Sequence, residues 1–142
     1  MSRLHTYLWR NVPDANIGYF LLRVFTGIGL LTHGIPKLAA GPDRWAGIGQ
    51  VVTNIGFPGP AVFWGFMAAF AESFGAALLV MGLMTRAAAF LIAVTMAVAA
   101  FVVHGNDPFA GREMALLYLF ISLMFMLKGA GSYAVDRFLP QN

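Results

Sequence analysis

Residues Gly18–Leu38 read GYFLLRVFTGIGLLTHGIPKL. A bilayer crossing needs about 20 mostly apolar residues in a helix, and this stretch has the length and the apolarity. It also carries Arg23, His33 and Lys37. A charge at the bilayer centre costs roughly 2.5 kcal/mol or more, so a helix that keeps these groups needs partners for them on its neighbours. Three further apolar stretches follow, and two of them hold or border a carboxylate, Glu72 and Glu113. The expectation is an all-α fold: an integral membrane four-helix bundle enclosing a polar cluster.

Composition points the same way. Only 11% of the 142 residues are charged and 59% are hydrophobic, against about 25% charged in ordinary soluble domains. Mean hydropathy is +0.74. So short a soluble chain has too much surface to hide this many apolar side chains, and its length suits one domain over residues 1–142. The formal net charge of +3 comes without a basic run that could track phosphates, so nucleic acid is not an expected partner. The lipid bilayer is. No cysteine is present, which excludes disulfides, thiol catalysis and cysteine-held clusters or zinc. The first apolar run starts late, is interrupted by Arg23 and reaches full span length, so it reads as a retained helix, not a cleaved signal.

Along the chain, residues 1–16 suit a short interfacial segment. Spans are expected at about 17–35, 61–84, 86–103 and 113–127, with an outer loop over 37–60. Pro36 should kink or stop the first span. Arg44–Val52 suits a short amphipathic helix lying on the membrane face. Gly65, Ala69, Ser73 and Ala77 in span two, and Ala89, Ala93 and Ala97 in span three, recur every fourth residue. Such stripes let helices approach closely, either as the seam of a hairpin or between copies in a homo-oligomer. The fourth span is short and needs snorkelling by Arg112 and Lys128 or local thinning of the bilayer. Basic residues outside the spans number five on the side of the termini and three on the other, which favours cytoplasmic termini.

The polar groups fall into two sets. Arg23 lies roughly 9 Å into span one and Glu72 roughly 15–18 Å into span two from the same side, at helical rise. The long guanidinium stem can close that gap, so an Arg23–Glu72 ion pair is expected, either fixing helix register or acting in binding and proton chemistry. His33 and Lys37 share one helix face, and His104 and Glu113 end and begin spans at similar depth. These four could ring one outward-facing pocket, where imidazole relays protons and a cation stabilises developing negative charge. Each could also merely wet the membrane edge. A haem or metal ion held by His33 and His104, with Glu113, is the weaker alternative.

Several stretches resemble one family. Arg23-Val24-Phe25-Thr26-Gly27 is followed by His33-Gly34-Ile35-Pro36-Lys37-Leu38. Span two adds Glu72-Ser73-Phe74-Gly75-Ala76-Ala77-Leu78 and Gly82-Leu83-Met84-Thr85-Arg86. His104 and Gly131-Ser132-Tyr133-Ala134-Val135-Asp136-Arg137 complete the set. In order and spacing these are similar to the DoxX family of small four-helix bacterial membrane proteins, with its DoxD-like relatives, over roughly 17–137. The resemblance implies a multi-pass protein of the bacterial plasma (inner) membrane. Some such relatives look like membrane subunits of thiosulfate:quinone oxidoreductases or partners in membrane redox complexes, which pair the helical subunit with a second protein.

Two main functions are then open. In the first, the chain is a quinone-linked redox subunit. A quinone would enter from lipid between Phe70, Phe74 and Phe101, and His33 or the Arg23–Glu72 pair would hydrogen-bond its carbonyl and deliver protons. Electrons would come from a protein partner or a soluble donor. In the second, the chain is a non-catalytic scaffold or small-molecule binder whose outer loop recruits a partner. A carrier ranks last, because neither an inverted repeat nor a pair of broken helices is visible.

Overall fold

A computed structural model describes residues 15–138, all helix and turn with no strand. The expected interfacial segment over 1–16 falls almost wholly outside these residues. Helix α1 is Ala15–Ala39 and α2 is Pro42–Asn54. Helix α3 is Ala61–Met81, α4 is Thr85–Val103, and α5 is Phe109–Lys128. A 3-10 turn, Val135–Phe138, closes the described chain. Helices α1, α3, α4 and α5 are each long and apolar enough to cross a membrane. Exposed Phe25, Phe90, Leu117 and Phe120 form the kind of apolar outer surface that lipid, not water, covers.

Three boundaries differ from the sequence expectation. The first span does not stop at Pro36 but runs on to Ala39. A proline this near the end costs only one backbone bond, and the Pro36 carbonyl still accepts Ala40 N–H at 3.1 Å. Span two stops at Met81, three residues early, because Gly82 and Met84 both take left-handed φ, 68° and 46°. The fourth span begins one turn early, at Phe109 after Pro108. Its 20 residues reach about 30 Å at helical rise, the thickness of a hydrocarbon core. No thinning is needed.

The long spans pack in chain order. Gly27 of α1 lies against Val80 and the Ala76 carbonyl of α3, and Gly75 of α3 faces Ala88 and Ile92 of α4. Helices α4 and α5 enclose Ala89, Ile92, Ala93, Leu119 and Phe125, with Leu30 and Leu79 completing the core. Thus α4's small residues face the core, with α5 packed on it. The stripe on α3 is split, since its outer member Gly65 goes to α2. A Cβ on Gly49 would strike the Ala61 carbonyl, and one on Gly65 would strike Trp45 backbone. Only paired glycines permit backbones to cross so closely. The short helix expected over Arg44–Val52 thus forms as α2, and it packs on α3 as half of an α2–α3 hairpin. Trp45 seals it, with its ring 5.1 Å from Phe66 and its indole N–H on the Lys37 carbonyl at 2.9 Å.

At the opposite end, the tail folds back over the bundle. The Arg23 guanidinium donates to the carbonyls of Ala130 and Tyr133, and the Tyr19 hydroxyl to that of Gly129. Asp136 N–H reaches the Gly82 carbonyl at 3.1 Å, and its Oδ1 accepts Met84 N–H at 3.0 Å.

The glycine crossing sets a test. Gly65→Val should destabilise the protein by about 1–3 kcal/mol through overpacking, seen as a lower melting temperature in nanodiscs. Gly47→Ala, where a Cβ meets nothing within 4 Å, should melt at or slightly above wild type.

Candidate functional site

Helices α1 and α5 touch where Tyr118 lies over Gly29 and where the Tyr19 ring meets that of Phe125, centroids 5.3 Å apart. Beside the first of these contacts lies a cavity of about 310 Å³. His33 and Lys37 of α1, Glu72 of α3 and His104 at the end of α4 line it. Met96, Met114 and Tyr118 supply much of the less polar wall. Exposed His33, Ala110, Gly111 and Met114 mark an opening along the gap between α1 and α5.

Glu72 is the buried member, only 3% exposed. The Lys37 ammonium donates to both its oxygens, at 2.7 and 2.6 Å. Two features bring the pair together. Glu72 sits in a π-helical segment, Ala71–Gly75, where Ala76 N–H bonds back to the Ala71 carbonyl. Gly34 is the second feature. A Cβ there would overlap the Glu72 carbonyl, so only glycine lets α1 lie on that backbone. One residue earlier is His33; three later, about one turn, is Lys37.

His104 is placed by a second π-helical segment, Ala99–Val103. Its N–H bonds to the Ala99 carbonyl at 2.9 Å, five residues back, and the helix ends there. Its Nδ1 lies 2.7 Å from Asp107 Oδ2, and Asp107 N–H returns to the His104 carbonyl at 3.0 Å. Asp107 thus orients the ring and leaves Nε2 for a ligand. Both π segments border the same cavity, a placement frequent at functional sites.

The expected Arg23–Glu72 ion pair does not form. Arg23 is 1% exposed, and its two terminal nitrogens are taken by tail carbonyls at the far end of the bundle. Its planar fork finds two carbonyl oxygens close by, while the Lys37 ammonium is within bonding distance of Glu72. Glu113 is exposed and does not line the cavity. Phe70 and Phe74 stack on each other at 4.9 Å, and Phe74 and Phe101 are 51% and 61% exposed, so these rings are not in the cavity wall. Of the four residues expected to ring one pocket, His33, Lys37 and His104 do so, and Glu72, expected beside Arg23, takes the place of Glu113. Sequence reasoning missed Asp107, Tyr118 and both π segments. Asp107, three residues after His104 in a turn, carried a readable signal. Tyr118 and the π segments carried none. No group of three or more His, Asp or Glu suited to a metal ion occurs among the described residues.

The Lys37–Glu72 pair can be weighed by a double-mutant cycle. Breaking a buried pair from one side costs about 3–5 kcal/mol, and half-exposed Lys37 puts this case at or below the lower figure. Lys37→Met and Glu72→Gln should each lower stability, and the double variant should lose less than their sum by about 1–3 kcal/mol, measured by denaturation in mixed micelles.

Comparison with known proteins agrees with this architecture. The family model DoxX matches residues 18–105, more than half of the chain. An uncharacterized protein of Haemophilus influenzae is 39% identical over 128 residues, covering 84% of this chain and 90% of its own. A Bacillus subtilis protein named "Putative oxidoreductase CatD" is 35% identical over 124 residues, covering 87% of each. No solved structure matches. Four apolar spans and a match that reaches from α1 through the end of α4 make this chain a member of the DoxX family of membrane proteins.

Proposed function

We propose that the chain is a redox-associated subunit of the bacterial plasma membrane whose cavity between α1 and α5 takes a quinone-class ring from the bilayer. One observation carries the reading. Two imidazoles and a lysine–glutamate pair line a half-open cavity whose other walls include two methionines and a tyrosine. Small-molecule sites run from about 300 to 1,000 Å³ and combine apolar walls with a few fixed polar groups. At about 310 Å³ this one suits a single substituted ring, with an isoprenoid tail left outside along the α1–α5 gap. The name of the Bacillus subtilis relative, an oxidoreductase, supports the same class.

The residues have distinct parts in this reading. Two of the Lys37 ammonium protons go to Glu72, which leaves a third to donate to a carbonyl oxygen. His33 donates to the same ring. His104, tied to Asp107, passes protons between the cavity and the adjacent aqueous face. A quinone so held takes up two electrons and two protons. The electrons come from a partner protein or a soluble reductant, since the sequence has no cysteine to hold an iron–sulfur cluster. Both termini lie in the cytoplasm: the end with Arg86, Lys128 and Arg137, joined in sequence by Arg3 and Arg10, outnumbers Lys37, Arg44 and Arg112 in positive charge.

Titrating a short-chain quinone into the protein in nanodiscs, read by quenching of tryptophan emission, tests the assignment. Trp45 sits on the Lys37 carbonyl and is the expected reporter. His33→Ala and Glu72→Gln should each weaken binding about tenfold, the cost of one charge-assisted contact, and Phe74→Ala should not. Absence of saturable quenching, or unchanged affinity in His33→Ala, would refute the reading.

A further inference from the structure

A second cavity, of about 600 Å³, lies at the end of the bundle opposite His33. Its walls are the α3–α4 link with the first turn of α4, the end of α5 with the glycine-rich segment after it, and the closing 3-10 turn. Arg86, Lys128 and Arg137 all line it. Ion pairs among the described residues are Lys37–Glu72 and His104–Asp107, so these three cations have no carboxylate partner there. Their contacts are weak and neutral. Arg86 reaches the Leu127 carbonyl at 3.4 Å, Arg137 the Ser132 carbonyl at 3.0 Å, and the Lys128 ammonium sits 4.5 Å from the Tyr19 ring centroid. Asp136 also lines the cavity, but its Oδ1 is committed to Met84 N–H.

Two further observations point to an anion. The N-terminus of α4, a helix of 19 residues, opens on the cavity without a side-chain cap and without an acidic residue in its first turn. Its leading N–H groups therefore have no helical acceptor, and the helix end carries partial positive charge. Thr85, in the same wall, is 1% exposed, and its hydroxyl is buried without a hydrogen-bond partner. An unsatisfied buried hydroxyl is costly, and a ligand oxygen would satisfy it.

We infer that this cavity binds a phosphate-bearing anion, either the phosphodiester of an acidic lipid headgroup or a phosphate group from solution. A phosphate offers several strong acceptor oxygens and no obligatory donor. That matches three cations, a helix N-terminus and a hydroxyl converging from separate elements. The place matches too, because the ends of membrane-spanning helices lie at the level of lipid headgroups, where basic pockets between helices take acidic lipids. None of these residues belongs to the cavity between α1 and α5, so this inference stands or falls apart from the quinone reading.

The test uses the full chain. In one arm the protein is released from micelles containing phosphatidylglycerol or phosphatidylcholine and weighed by native mass spectrometry. In the other, inorganic phosphate is titrated onto protein in phosphatidylcholine nanodiscs and followed by phosphorus relaxation. Retention of phosphatidylglycerol at least about tenfold over phosphatidylcholine supports a lipid source. Saturable phosphate binding without lipid retention supports a soluble one. In either case Arg86→Gln and Lys128→Gln should each weaken binding about tenfold, and Thr85→Val about threefold to tenfold. Arg44→Gln, which removes the same charge at the other end, should have no effect. Melting temperatures establish that each variant folds, and Arg86 and Lys128 are exposed, so their loss should not unfold the chain. Binding in neither arm, or equal losses in Arg86→Gln and Arg44→Gln, overturns the inference.

Discussion

A carboxylate inside an apolar bundle must be paired, and Glu72 is paired with Lys37. Much of the α1–α3 arrangement answers to that requirement. Gly34 brings α1 onto the Glu72 backbone. The π-helical turn Ala71–Gly75 shifts the register of α3 where the carboxylate emerges. Trp45 holds the Lys37 carbonyl and thereby ties α2 to the end of α1. Such a pair gives little net stability over well-packed apolar residues, but one partner without the other is costly. Its consequence is geometric: it fixes which face of α1 meets which face of α3, and so places His33 on the cavity.

Arg23 performs a separate task. It is fully buried yet faces carbonyl oxygens, not a carboxylate. By gripping Ala130 and Tyr133 it pulls the segment after α5 across the end of α1, where Asp136 then holds Gly82 and Met84. The bundle therefore has polar contacts at both ends with an apolar layer between them, built on Leu30, Leu79, Ile92 and Phe125. That separation leaves room for two cavities of different character. One combines imidazoles and an ion pair with methionines; the other gathers unpaired cations.

Hydropathy and length made the four spans legible, and depth along the spans made the grouping of His33, Lys37 and His104 legible. The partner of Glu72 was not. Glu72 lies near the middle of α3, so depth alone cannot say whether the cation comes from Arg23 on one side or Lys37 on the other. The answer depends on Gly34 and the π turn, and a π turn leaves no composition or period in a single sequence. The helix expected in the outer loop forms, but its packing against α3 was not legible for a related reason. Glycines at 47, 49 and 65 look alike as letters, yet only 49 and 65 lie where two backbones cross. The aromatic rings of Phe74 and Phe101 suggested a ring-binding wall, but in a membrane protein apolar side chains are as much at home facing lipid, and both rings lie on the exposed surface of the bundle.

The pairing choice at Glu72 is open to direct observation. Magic-angle-spinning NMR on the protein in lipid, with nitrogen-15 in the lysine and arginine side chains and carbon-13 in the glutamate carboxyls, reports which nitrogen couples to Glu72. The structure requires strong dipolar coupling between Lys37 Nζ and Glu72 Cδ, as fits N–O contacts of 2.6 and 2.7 Å, abolished in Lys37→Met. Coupling of Glu72 to the Arg23 guanidinium, or to no side-chain nitrogen, would contradict it.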